Sequence, residues 1–131
     1  MKNLYYYIYI YMQFLISGIT MLVIDLIYLS LTAHEFKGMV KTIQKSPFTM
    51  RLAGAIASYI LMIVGLNAFI IKENKSPMDA ALLGLVIYGV FDAVNYAIFS
   101  KYDLIIALKD TFWGATLFYM TTYITYKLTK K

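Results

Sequence analysis

The chain has 131 residues, of which 61% are hydrophobic and only 15% charged, with a mean hydropathy of +0.67. Soluble domains are about 45–50% apolar and roughly 25% charged, so this composition excludes an ordinary soluble fold and points to a single domain in a bilayer. The formal net charge is +5 and cysteine is absent, which removes disulfides, thiolate metal sites and thiol catalysis.

Residues 4–33 carry one charge, Asp25. Tyr5, Tyr6, Tyr7, Tyr9 and Tyr11 read as an interfacial aromatic belt leading into a first span over about residues 8–32. The apolar run is too long for the core of a signal peptide and no small-residue cleavage site follows, so an uncleaved span is expected. Residues 34–51 form the longest polar connection. Phe36, Met39, Val40 and Ile43 recur at i, i+3, i+4 and i+7 between Lys37, Lys41, Gln44 and Lys45, which predicts a short amphipathic helix on the headgroups between helices 1 and 2. Ser46-Pro47 ends it, because a residue before proline is driven out of the helical region.

The second span, 52–71, contains no charge, and Ala53, Gly54, Ala57, Ser58, Gly65 and Ala68 are of the size that lets membrane helices approach closely. Lys72 to Pro77 is a polar turn, and Asp79 suits the positive end of the helix dipole that follows. A third span is expected over 80–99 and a fourth over 104–126, ending in Lys127, Lys130 and Lys131. The fold class expected is therefore all-α: four transmembrane helices in a compact bundle. No repeat or linker divides the chain, so residues 1–131 make one domain.

Four spans put both termini on one face. Lys2, Lys72, Lys75, Lys127, Lys130 and Lys131 lie on that face, and Lys37, Lys41, Lys45, Arg51, Lys101 and Lys109 towards the other. The even split nearly cancels the positive-inside rule and leaves a weak preference for cytoplasmic termini. These basic residues flank hydrophobic runs, where they meet lipid headgroups. The expected partner is thus the bilayer, without nucleic acid.

Ionisable groups inside apolar segments are expensive and mark candidate sites. Asp25, Asp92 and Asp110 each lie about seven residues from the same face, roughly 10 Å deep at 1.5 Å per residue. Ser58 and Tyr59 sit at the matching depth of span two. Each aspartate has a polar or aromatic companion at i+3: Tyr28 after Asp25, Asn95 after Asp92, Trp113 after Asp110. Together with Tyr88 these residues define one polar layer shared by all four helices. Helical side chains tilt towards their own N-terminus, so Asp25 and Asp92 lean deeper and are expected to be the more desolvated pair. Asp110 leans outward and is expected to be the ionised one. Asn67 stands apart near the other end of span two and reads as structural.

These residues resemble a family of small predicted membrane proteins, the domain of unknown function 2177. The matching segments are DLIY (Asp25, Tyr28), YGVFDAVN (Tyr88, Asp92, Asn95) and DTFWG (Asp110, Trp113, Gly114). Tyr28 stands where the family pattern has Trp, and Phe91 precedes Asp92 where Tyr is usual. The resemblance implies a four-helix membrane fold and no particular activity.

A proton- or cation-binding protein, transporter-like or channel-like, is the first functional expectation, with Asp92 central and Asp25 and Asp110 as partners. Four helices leave little room for a pathway in one chain, so this version favours a homo-oligomer. The alternatives are a membrane-embedded lipid-modifying enzyme with paired carboxylates as acid and base, or a structural membrane protein without chemistry. One His and no Cys rule out histidine-rich iron or zinc centres. No nucleophile–histidine arrangement or phosphate loop is visible, so nothing indicates a cofactor or metal and an enzyme is disfavoured without being excluded.

Overall fold

The computed structural model describes residues 2–130, which form four helices and, among these residues, no strand. The helices are α1 (Lys2–Gln44), α2 (Leu52–Leu66), α3 (Pro77–Ile98) and α4 (Leu104–Thr129); a π-helical turn, Asn67–Ile71, closes α2. Lys131 of the basic tail lies outside the described residues.

Three segments are long and apolar enough to cross a membrane: Lys2–Gln44, Leu52–Ile71 and Pro77–Ile98. Their most apolar stretches are only 17, 22 and 11% buried within the protein. Leu22, Val23, Leu26, Val86, Val90 and Val94 face outwards instead. In water such a surface would aggregate; against lipid it costs nothing. Helix α4 has 26 residues, but Lys109, Asp110 and several threonines make it less apolar than the others.

One expectation is corrected. The amphipathic segment 34–44 is not a separate helix, because α1 runs unbroken for 43 residues. No proline interrupts it, and the helix stops only where Lys45 adopts a left-handed φ of 58° just before Ser46-Pro47. The apolar stripe of this segment packs on the protein itself. Met39 is buried with Tyr102 and Ala107, and Ile43 joins them. Phe36 meets Phe48 edge to face at 6.3 Å. The end of α1 thus rests against the turn between α3 and α4, which holds the backbone N–H of Asp103 3.2 Å from the Met39 sulfur.

Local chemistry sets the other boundaries. At the start of α3 the Ser76 hydroxyl accepts from the Asp79 N–H at 3.1 Å, and the Asp79 carboxylate accepts from the Ser76 N–H at 3.2 Å. This reciprocal cap, with Pro77 at the first helical position, satisfies two otherwise orphaned donors. Asp103 caps α4 by accepting from the Ile106 N–H at 3.0 Å.

Helices α3 and α4 make the most intimate pair. A Cβ on Gly84 would fall 2.8 Å from both the Gly114 carbonyl carbon and Phe118 Cγ, and one on Gly114 would meet the Tyr88 Cβ at 2.6 Å. The small residues of α2 do not play this part, since a Cβ added at Gly54 or Gly65 would meet open space. Helix α1 packs on α4, and α2 sits at the periphery. The apolar core collects Met21, Leu66, Ile71, Ala80, Leu117 and Phe118, each at most 2% exposed.

Candidate functional site

Among the described residues Asp25 and Asp92 are the buried carboxyl groups, 5% and 2% exposed, whereas Asp110 is only partly buried. That order of exposure follows the direction in which the helices point their side chains.

Asp25 on α1 is held from two other helices. Its Oδ1 accepts from the Trp113 indole N–H at 2.8 Å and its Oδ2 from the Tyr59 hydroxyl. Tyr28, one turn along α1, does not donate to it. The Tyr28 ring instead lies flat on Trp113, with centroids 4.0 Å apart and planes 6° from parallel. The i+3 companions therefore interlock across helices: the companion of Asp110 serves Asp25, and the companion of Asp25 supports that donor from behind.

Asp92 has its own set. Its Oδ1 accepts from the Tyr102 hydroxyl at 3.0 Å and its Oδ2 from the Thr111 hydroxyl at 3.1 Å. Tyr102 comes from the turn, where it is 8% exposed. Burial, then the bond to Asp92, raise its phenol above the ordinary tyrosine range. Asn95, the i+3 companion of Asp92, does not donate to it. Sequence reading missed Tyr102 and Thr111. Thr111 directly follows Asp110, and Tyr102 is a turn residue whose burial only the docking of α1 explains.

Asp110 directly precedes Thr111, the residue that donates to Asp92. It also lines a cleft of about 420 Å³ walled by α1, α2, α3 and α4. Tyr28, Ser58 and Tyr88 line the same cleft. Ser58 is exposed there and spends its hydroxyl proton on the Ala55 carbonyl at 2.8 Å, so it does not join the aspartates. Leu29, Leu61, Met62, Ile87 and Phe91 make the cleft walls apolar, and Glu35 and Lys109 stand at its edge, 3.4 Å apart. Among the described residues no three His, Asp or Glu side chains come together as a metal-binding group.

A second polar cluster lies nearer the termini. Asn67 is not isolated: its amide donates to the Ser17 hydroxyl at 2.9 Å and to the Ile63 carbonyl at 2.8 Å, at the start of the π-helical turn. Gln13 donates to Tyr9 and Thr129, both at 3.2 Å. Thr121, Thr122 and Thr125 are fully buried beside them. Between this cluster and the aspartates lie Met21, Leu66, Leu117 and Phe118, all fully buried.

Outward-facing apolar helices around an interior stitched by buried carboxylates define a helical integral membrane protein. The chain belongs to DUF2177, a family of predicted membrane proteins, which it matches over residues 10–127. No curated protein and no solved structure matches it.

Proposed function

We propose that this is a proton-binding membrane protein whose proton site is the Asp92–Asp110 carboxyl pair. The observation that carries the reading is the placement of Asp110, which directly precedes Thr111, a donor to Asp92, and opens on the cleft. Two carboxyl groups drawn together in an apolar interior share a proton, because like charges there repel. Both Asp92 oxygens already accept from hydroxyls, so Asp110 is the proton donor of the pair. This reverses the charge assignment expected from helix direction alone.

In this reading α4 crosses the bilayer with the other three helices, and both termini share one face. Asp25, tied by Trp113 and Tyr59, is framework. Tyr28, Tyr88 and Trp113 line and support the site. The fully buried layer of Met21, Leu66, Leu117 and Phe118 separates the pair from the far face. A single chain therefore binds the proton from one side, and transporter-like movement across the membrane would call on a second copy. The residues that converge suit a proton better than a metal cation, which needs several oxygen ligands at once.

Infrared spectroscopy of reconstituted protein tests the site. A protonated-carboxyl band is expected at neutral pH, and Asp110→Asn should remove it. A neutral-pH spectrum without such a band, or a band that persists unchanged in Asp110→Asn, would refute the proposal.

A further inference from the structure

The cleft has a polar edge and an apolar body, and of the proton pair only Asp110 lines it. Its volume of about 420 Å³ lies within the roughly 300–1,000 Å³ typical of small-molecule sites. Leu29, Leu61, Met62, Ile87 and Phe91 form a trough with almost no polar surface. At its edge the Lys109 ammonium and the Glu35 carboxylate face each other at 3.4 Å, both substantially exposed. Glu35 lies just beyond the stretch of α1 read as its span, and Lys109 lies early in α4, where a lysine snorkels to the headgroups. Charge above and hydrocarbon below is the order of a lipid in the adjoining leaflet.

We propose that this cleft binds a glycerophospholipid with a zwitterionic, primary-amine headgroup. One acyl chain occupies the trough, the phosphodiester meets Lys109, and the ammonium meets Glu35. An exposed ion pair is worth little, so a headgroup carrying both charges can open it and satisfy both partners. A purely anionic headgroup would leave Glu35 facing like charge. A quaternary amine has no N–H to donate to the carboxylate. The inference rests on the trough and its charged edge and stands apart from proton sharing between Asp92 and Asp110, which infrared spectroscopy reads separately.

Native mass spectrometry of the detergent-solubilised protein with equal amounts of phosphatidylethanolamine, phosphatidylcholine and phosphatidylglycerol provides the test. Phosphatidylethanolamine should be retained several-fold over the other two. Glu35→Gln should level phosphatidylethanolamine with phosphatidylcholine, and Lys109→Gln should lower retention of all three. Leu61→Trp, which fills the trough from a side chain 71% exposed, should abolish retention while circular dichroism shows the helices intact. Equal retention of phosphatidylglycerol and phosphatidylethanolamine by the unmodified protein would overturn the proposal, as would retention unchanged in both Leu61→Trp and Lys109→Gln.

Discussion

Gly84 packs so closely on Gly114 that a Cβ on Gly84 would meet the Gly114 backbone, while one on Gly114 would meet Tyr88. The obstacle at Gly84 is partly the Gly114 backbone, which cannot rotate away as a side chain tip could. Gly84→Ala should therefore push α3 from α4 and cost about 1–3 kcal/mol, the usual range for overpacking. Gly54→Ala, which meets open space, should cost nothing measurable. Unfolding of the two variants in mixed micelles by added denaturing detergent checks the contrast.

Trp113→Phe keeps an aromatic ring against Tyr28 but removes the indole donor to Asp25. A buried acceptor left unsatisfied costs about 1–3 kcal/mol, more for a charged group. The variant should unfold earlier by that margin, and a second change, Asp25→Leu, should restore part of the loss by removing the acceptor. A double variant less stable than either single one would show that the bond is not the linkage.

Tyr59 is the hydroxyl through which peripheral α2 reaches Asp25. Tyr59→Phe should loosen α2 without disturbing the α3–α4 pair. Hydrogen exchange is the readout: amides in Leu52–Leu66 should exchange faster, and those in Pro77–Ile98 should not change.

The Tyr102 phenol is held above its ordinary value of 10.0 by burial and by Asp92. The folded state therefore keeps this proton at pH values where the unfolded chain has lost it. Its contribution to stability is complete below about pH 10 and declines as pH rises past that point. Stability of the unmodified protein should fall more steeply above about pH 10 than that of Tyr102→Phe; parallel curves would contradict the argument.

Much of this arrangement was legible from residue spacing. Residue depth and i+3 spacing brought Asp25, Asp92 and Asp110 forward as candidates and placed Trp113 and Tyr59 in the same layer. What spacing did not show was which donor serves which acceptor, because that depends on how four helices rotate about their own axes. Hence Tyr28 became a support for Trp113, and Thr111 and Tyr102 served Asp92. The end of α1 was misread for a related reason. A stripe such as Phe36–Met39–Ile43 looks the same whether it meets headgroups or a neighbouring turn. Buried Gln13, Ser17 and Thr121 escaped notice because small polar residues scarcely lower the hydropathy of a span.

Asp25 also carries information about the order of assembly. The residues that satisfy it lie 34 and 88 positions later in the chain, so during synthesis α1 enters the membrane with a carboxyl group that nothing yet answers. Tyr59 supplies the first bond when α2 emerges, and Trp113 the second only once α4 has begun. A chain cut short before Trp113 leaves that second position unfilled. The finished protein and an interrupted one thus differ at a point where an unpaired polar group is costly in lipid.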